Sequence, residues 1–356
     1  MAEQKTSKET VPEFSNPWEK NSNSIWLATT LTLHRNIDKF NFPHRLDTEK
    51  RRLVLEILTG AIKTVPTLAS QTAYTAANIA PLDREFLAEH FLLFETPRDS
   101  QQGRAYVVEA EGRLLLQING NDHLEIHAID TKQGLEQTLA DMVSVERGVE
   151  KQLPFAFSNQ FGYLTSDPCQ SGTGFLVYAY LHIPALIQCG GYHDVIAKEK
   201  HEGLILTSLQ GNPEDLVGDL LVLRNRWTTG ETEETILSSI RNTALKIMAD
   251  EQSLRSRIAT ERDDKIVDHV SRAIGILGHS ITIDTSEALR ALSLIKFGVE
   301  LGWLQGITLE SVNQLFFDCR RAHLARHTDA TLYGRPELYK ARATMLRQAI
   351  EPVKLV

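Results

Sequence analysis

The sequence has few cysteines and no long apolar run. Its 356 residues include 3 cysteines, and none of these forms a CxxC pair. This scarcity excludes a disulfide framework and a cysteine zinc knuckle, and it is typical of a reducing compartment. A membrane-spanning helix requires about 18 consecutive apolar residues, and the sequence contains no such stretch. The N-terminus also lacks the apolar core of a signal peptide. We therefore expect a protein of the cytoplasm.

An excess of positive charge is also missing. Lysine and arginine number 38 against 46 aspartates and glutamates, which gives a formal net charge of −8 at pH 7. This balance argues against nucleic acid or an anionic membrane surface as the main partner. The apolar fraction of 42% and the charged fraction of 24% are globular values. At about 150 residues per domain, the length suggests two domains.

The hydrophobic pattern changes its period along the chain. Residues 105–129 alternate with the period of two that strands show, and further strand-like segments follow up to about residue 225. Beyond Gly230 the pattern is helical, with Thr232 as a suitable N-cap. Asp284 resembles the first residue of a capping box before another helix. We therefore predict an α+β fold, in which an antiparallel-rich sheet flanked by helices is followed by an all-helical C-terminal domain.

Charge and composition suggest where the domains begin and end. We predict a flexible tail over residues 1–20, a sheet-containing domain over 21–259 and a helical domain over 260–356, with the boundary in the charged run 260–265. Residues 285–304 carry more apolar side chains than one buried stripe requires. Either a dimer interface or the core of the domain itself explains that excess.

A metal site is one hypothesis for the strand-like segment around residue 125. His123, Glu125 and His127 alternate along it, and two imidazoles with a carboxylate could bind zinc or iron. Same-face neighbours on a strand lie about 6.5–7 Å apart, so the outer pair is about 13 Å apart and would share one ion only at a bulge. We therefore expect no bound metal and keep a metal-dependent enzyme as the third reading.

Several segments, taken in order, resemble the ATP:guanido phosphotransferase (phosphagen kinase) family. SIWLATTLTLHRNIDKFNFP is similar to the family's SSRIRLARNLxxFPFP, INGNDHLEI to NEEDHLRI, and GYLTSDPCQSGTGFLVYAYLHIPAL to GYLTxCPTNxGTGLRASVxxHLPAL. LTSLQGNPEDLVGD and the helical segment from DHVSRAIG to WLQGI extend the resemblance, and the latter points to the bacterial protein-arginine kinase (McsB) branch. The resemblance covers roughly residues 21–350.

The resemblance also shows which site residues differ. In the family, arginines hold the ATP phosphates, two glutamates orient the guanidinium and act as base, and a cysteine lies in the CPTN loop. The arginine positions fall here on Thr30, Thr32, Glu125, Leu176 and Thr207, the glutamate positions on Asn121 and Asn212, and the cysteine position on Asp167. The family's phosphoarginine pocket is matched only in part, at Arg342 and Arg347.

These differences predict that the chain is catalytically inactive. A charge-assisted bond from arginine to phosphate contributes about 1.5–3 kcal/mol, so five amount to about 7–15 kcal/mol, whereas micromolar affinity is about 8 kcal/mol. We therefore expect a catalytically inactive, McsB-like pseudokinase without a cofactor, which acts as a protein-binding adaptor or scaffold. The resemblance implies three kinds of partner: a zinc-binding McsA-like protein, the Clp machinery and a second copy of the chain in a homodimer. The alternative is an active protein-arginine kinase with a rebuilt ATP site, with Arg35, Arg104 or Arg113 as substitutes.

Overall fold

The computed structural model describes residues 10–18, 23–93, 103–132, 134–199, 202–328 and 335–356. These residues form two compact units. The first takes the chain up to Ser15, then Thr29–Tyr178 and Asn225–Ser239, and the second takes Asn16–Ala28, Ala179–Arg224 and Ile240–Val356. The units therefore interleave along the chain, whereas the sequence suggested a single boundary near residue 260.

Within the described residues, the strands form one eight-stranded sheet and two small two-stranded sheets. They are β1 (Trp26–Arg35), β2 (Ala73–Thr75), β3 (Ala105–Val108), β4 (Leu114–Ile118), β5 (Leu124–Asp130), β6 (Phe157–Ser158), β7 (Gly162–Tyr163), β8 (Phe175–His182), β9 (Leu204–Ser208), β10 (Leu220–Asn225), β11 (Leu304–Gln305) and β12 (Lys354–Leu355). The large sheet has the order β2-β3-β4-β5-β1-β8-β10-β9, and β6 pairs with β7 and β11 with β12. The pairings from β2 to β1 are antiparallel, as predicted.

The helices lie between the strands and then dominate the C-terminal third. They are α1 (Thr48–Lys63), α2 (Pro81–Glu89), α3 (Leu135–Glu150), α4 (Pro184–Gln188), α5 (Tyr192–Lys198), α6 (Glu233–Glu261), α7 (Asp264–His279), α8 (Thr285–Glu300), α9 (Leu309–Asp318), α10 (Arg321–His327) and α11 (Arg335–Ile350). Short 3-10 turns cover Pro43–Arg45, Pro168–Gln170 and Val217–Asp219. The predicted α+β fold with a helical C-terminal region is confirmed.

Every residue of β1 is buried, and the part of the strand from Thr29 onward belongs to the first unit. Leu31 and Leu33 lie on one face of β1, and Thr30, Thr32 and His34 lie on the other because side chains alternate along a strand. Helix α3 packs against β5 and against α1. The first unit therefore contains a polar sheet face that is shielded from water.

In the second unit, α8 lies among α7, α9 and the 3-10 turn Val217–Asp219. The apolar side chains of the segment 285–304 fill this core, since Leu289, Leu292, Ile295, Phe297 and Trp303 are each at most 5% exposed. The excess of apolar residues noted in the sequence is therefore explained by the unit's own packing. It gives no separate support for a dimer interface.

The described part of the expected N-terminal tail is packed. Val11 and Trp18 are each 1% exposed. The ring of Trp18 packs against Phe316 and Phe317, and its carbonyl accepts a hydrogen bond from Asn313. A flexible tail was therefore the wrong expectation for residues 10–18, because isolated aromatic and apolar residues in a polar stretch anchor it. The rest of the predicted tail lies outside the described residues.

Among the helices that the structure describes, none combines the length and the apolar character needed to cross a lipid bilayer.

Candidate functional site

The polar face of the first unit is built by β1 and β5 together. Their antiparallel register places Thr32 opposite His127 and His34 opposite Glu125. All four residues are at most 5% exposed. Burying polar groups costs free energy unless each finds a partner, so the hydrogen bonds of this face decide what it can do.

His34 is held by a carboxylate. Its Nδ1 lies 3.1 Å from Oδ2 of Asp122, while Oδ1 of Asp122 accepts from Asn36 at 2.6 Å and from the backbone N–H of Ser166 at 2.7 Å. Burial by itself lowers the pKa of His34, but the hydrogen bond to Asp122 and the nearby charge of Glu125 outweigh it and raise the pKa above the ordinary value. The surroundings of His34 therefore favour the protonated form of its ring.

Glu125 stays ionised next to this histidine. Its Oε1 accepts from the backbone N–H groups of Asn121 at 2.6 Å and Asp122 at 3.2 Å, and its Oε2 lies 3.5 Å from Nε2 of His127. Burial favours the neutral acid, but the hydrogen bond with His127, the charge of His34 and the backbone bonds lower the pKa of Glu125 to about 2. Gly120 leaves the necessary space, since a Cβ there would lie 2.2 Å from Oε1 of Glu125.

The three residues of the metal hypothesis do not converge. Nδ1 of His123 accepts a hydrogen bond from the backbone N–H of Ile37 at 3.1 Å, and burial lowers the pKa of His123 to about 4. Thr32 instead bonds Nδ1 of His127 at 3.0 Å. The described residues contain no group of three or more histidines, cysteines, aspartates or glutamates arranged to hold a metal ion. His123, Glu125 and His127 are therefore engaged in separate contacts within the described chain.

Nε2 of His34 is a buried ring nitrogen on the polar face that makes no hydrogen bond with any described residue. His34 is 5% exposed. When the ring is protonated, this nitrogen is suited to donate a charge-assisted hydrogen bond to an anion.

The structure brings together only part of the residues that the resemblance singled out. Thr30, Thr32 and Glu125 lie on the polar face, and Leu176 is buried on β8 at 6% exposure. Asn121 and Asp167 are exposed on loops of the same unit. The remaining two positions belong to the second unit, with Thr207 on β9 and Asn212 exposed in the loop that follows.

The arginines considered as substitutes are engaged elsewhere. Arg35 bonds Glu146 at 2.5 Å and the carbonyls of His34 and Thr173 at 2.8 Å, and its guanidinium covers the ring of Tyr163. Arg104 is buried and donates to the carbonyl of Asn119, whereas Arg113 is exposed and pairs with Glu111. Arg35 therefore stabilises the unit, and it lies on the face of β1 opposite to that of His34.

The two arginines that partly match the phosphoarginine pocket form hydrogen bonds within the second unit. Arg342 is 1% exposed, and its guanidinium donates to the carbonyls of Cys319 at 2.5 Å and Ile283 at 2.9 Å. Arg347 is half-buried and donates to the carbonyl of Ser280 and to Thr344. Arg342 thus ties α11 to the chain before α8 and α10 through backbone carbonyls.

Neither His34 nor Asp122 was among the candidate residues taken from the sequence. The signal was present in the period of two, since His34 continues the series of Thr30 and Thr32 along β1. Its partner Asp122 is 88 residues away in sequence, and no local pattern indicates such a pairing.

Comparisons with known proteins agree over both parts of the chain. Residues 54–254 match the family model of the ATP:guanido phosphotransferase C-terminal catalytic domain, and residues 263–355 match that of the protein-arginine kinase McsB C-terminal domain. A protein named protein-arginine kinase from Chlamydia pneumoniae is 34% identical over 87% of this chain and 86% of its own. A protein named protein-arginine kinase from Syntrophomonas wolfei is 28% identical over 99% of this chain and 98% of its own.

Solved structures share the fold. A duplicated taurocyamine kinase from Schistosoma mansoni with bound transition-state-analogue components aligns with a TM-score of 0.59 at 21% identity, over 68% of this chain and 35% of that one. A lombricine kinase aligns with a TM-score of 0.57 at 19% identity, over 70% of this chain and 75% of that one.

These relatives overturn the prediction of inactivity. The chain was expected to be a pseudokinase and no enzyme, with an adaptor or scaffold role, because the arginine and glutamate positions had changed. Relatives that match nearly its whole length are named as kinases, at 28% and 34% identity. The inactive reading is therefore wrong, because it took one set of phosphate ligands as indispensable. The findings favour the alternative of an active kinase with a rebuilt site.

Proposed function

Because the chain belongs to the ATP:guanido phosphotransferase family, in its protein-arginine kinase branch, we propose that it is a protein-arginine kinase. In this reaction the bond from the γ-phosphorus of ATP to its bridging oxygen breaks, a phosphorus–nitrogen bond to the guanidinium forms, ADP leaves and the guanidinium loses a proton. The observation that carries the proposal is the match with protein-arginine kinases across both the catalytic and the C-terminal regions.

The polar face of β1 and β5 supports a rebuilt phosphate site. Enzymatic phosphoryl transfer depends mainly on positioning and on neutralising charge. Here Thr30 and Thr32 supply hydroxyls, and His34 supplies a buried imidazole ring whose Nε2 has no hydrogen-bond partner in the described chain and whose protonation Asp122 and Glu125 favour. An anion is the ligand that this nitrogen fits. We assign to His34 the role of a phosphate-binding cation.

The test starts from the full-length protein with Mg-ATP and an arginine-rich protein substrate. We expect a time-dependent phosphoarginine adduct by intact-mass spectrometry. A charge-assisted hydrogen bond contributes about 1.5–3 kcal/mol, so His34→Gln should weaken ATP binding roughly 10- to 150-fold. The matched control is His44→Gln, an exposed histidine of the same unit, which should leave ATP binding unchanged.

Two results would contradict the proposal in different ways. Absence of any phosphoarginine with the wild-type protein, at ATP concentrations that saturate a related kinase, would refute the activity. Equal ATP affinity of the wild type and a folded His34→Gln variant would refute the role of His34 and leave the activity standing. Circular dichroism of both variants checks that they fold.

We further propose that the protein works with the partners that the family resemblance implies, a zinc-binding McsA-like protein and the Clp machinery. Affinity purification from native extract with the full chain as bait, followed by mass spectrometry, should recover a small zinc-binding protein. Recovery of neither partner class at native concentrations would contradict this proposal.

A further inference from the structure

The loop between β9 and β10 is fastened to helix α8. This β9–β10 loop covers residues 209–219 and includes Asn212, the position that the resemblance matches to a guanidinium-orienting glutamate. Within the loop, Oδ1 of Asn212 accepts from the backbone N–H of Glu214 at 3.1 Å, and the N–H of Asp215 donates to the carbonyl of Asn212 at 3.2 Å. Asn212 therefore lies in a tight turn whose position depends on how the loop is held.

Two side chains of α8 contact the loop directly. Arg290 donates to Oδ1 of Asp215, and Ser293 donates to Oδ2 of Asp219. Residues three apart on a helix share a face, so both contacts come from the same side of α8. Tyr192 of α5 adds a bond from its hydroxyl to the carbonyl of Pro213 at 2.5 Å.

The backbone of the loop is shaped to make the contact with α8. Gly218 has a φ of 68°, and a Cβ there would come within 3.5 Å of the carbonyl of Leu289 and of the Phe316 ring. Asp219 follows with a φ of 53°, a conformation that costs a non-glycine residue free energy. The close approach to α8 and the hydrogen bonds of Asp219 offset that cost.

The bond from Ser293 is the end of a directed chain of donors. Arg255 of α6 lies with Nη2 at 3.4 Å from Nδ1 of His182, and Nε2 of His182 lies 2.8 Å from the hydroxyl of Ser293. Because the hydroxyl of Ser293 donates its one proton to Asp219, it accepts from Nε2 of His182. Burial, with the charges of Lys296 and Arg255, lowers the pKa of His182 well below its usual value, which keeps it neutral.

We propose that Arg290 and Ser293 are positioning residues that hold the β9–β10 loop, and with it Asn212, in place for the arginine acceptor. The assignment of Asn212 to the acceptor rests on the proposed function, whereas the contacts to α8 do not. The C-terminal helical region would thereby control how well the protein substrate is positioned, without touching it.

Two measurements on the full chain test the proposal: hydrogen exchange of the loop amides and steady-state kinetics. Ser293→Ala removes the link between His182 and Asp219, so exchange of the loop amides should rise about tenfold or more. The KM for the arginine substrate should rise severalfold while the KM for ATP changes little. Ser293→Thr, which keeps the hydroxyl, should restore both values. Arg290→Ala acts on an exposed pair and should have a smaller effect of the same kind.

The matched control is Arg272→Ala, which removes an exposed arginine that pairs with Asp268 on α7. It should change neither loop exchange nor kinetics. Unchanged loop exchange in both Ser293→Ala and Arg290→Ala would overturn the proposal, as would faster exchange with an unaltered KM for the arginine substrate. A wild-type protein without kinase activity would contradict the proposed function and the acceptor role of the loop, and the exchange data would still decide whether α8 holds it.

Discussion

Glu125 is a buried carboxylate that has to remain charged. Its environment supplies two backbone donors, a hydrogen bond with His127 and the positive charge of His34, which together lower its pKa from 4.5 to about 2 despite burial. A group whose folded pKa is depressed stabilises the native state above its unfolded pKa, and this stability is lost as the pH falls through the folded value. The effect of Glu125 should therefore be complete above pH 4.5 and fade toward pH 2.

We expect Glu125→Gln to lower the free energy of unfolding at pH 7 by up to roughly 3 kcal/mol. The difference between wild type and variant should shrink steadily from pH 4.5 downward, since the wild-type side chain then loses its charge as well. Urea unfolding of both proteins at a series of pH values measures this. Glu111→Gln, on an exposed residue, is the control and should stay within 0.5 kcal/mol or so. A pH-independent difference would show that charge is not the cause.

Helix α8 begins at an N-cap that the sequence predicts, and its contact with the β9–β10 loop is seen only in the folded structure. Its N-cap is Asp284, whose side chain accepts from the backbone N–H of Glu287 at 2.9 Å, as the capping pattern predicted. The helix then buries Leu289, Leu292 and Ile295 in the second unit while presenting Ser293 to the β9–β10 loop. Its stability thus affects both the core and the loop.

We expect Asp284→Ala to destabilise the protein by about 1 kcal/mol, because one helical N–H loses its partner and the acidic charge leaves the helix N-terminus. In thermal unfolding this corresponds to a Tm lower by roughly 2–4 °C. Asp268→Ala, which removes an exposed carboxylate within α7, is the control and should have little effect. Equal Tm values for Asp284→Ala and the wild type would contradict the assigned cap.

At the scale of the whole molecule, the homodimer stays a prediction based on the family resemblance. The apolar residues of the segment 285–304 are used within the protomer and no longer argue for it. Another apolar residue of the C-terminal region, Ile281, has a side chain that is 75% exposed to solvent. We choose Ile281 to test for a dimer contact.

Light scattering at several concentrations should show a dimer at roughly 20 μM that dissociates on dilution, as mass action requires. Ile281→Asp should shift the equilibrium toward the monomer. Leu53→Asp, at a 45% exposed leucine of the first unit, is the matched control and should leave it unchanged. A wild-type monomer at every concentration would contradict the homodimer.

The sequence by itself determined the local structure, because periodicity and capping act over a few residues. The helix predicted after Thr232 begins at Glu233, and the period of two around residue 125 corresponds to β5. The motifs of the chain identified the family correctly. The prediction of inactivity was wrong, because it took the number of missing arginines as sufficient evidence.

The tertiary structure decided which distant side chains meet. His34 and Asp122 are 88 residues apart, Arg35 and Glu146 are 111 apart, and Arg290 and Asp215 are 75 apart. It also packed Trp18 into the second unit and interleaved the two units along the chain. Such contacts depend on the path of the whole chain and on the need to pair every buried charge, and neither is visible in a window of neighbouring residues. For this reason the buried pair of His34 and Asp122 and the link from α8 to the β9–β10 loop emerged only from the folded protein.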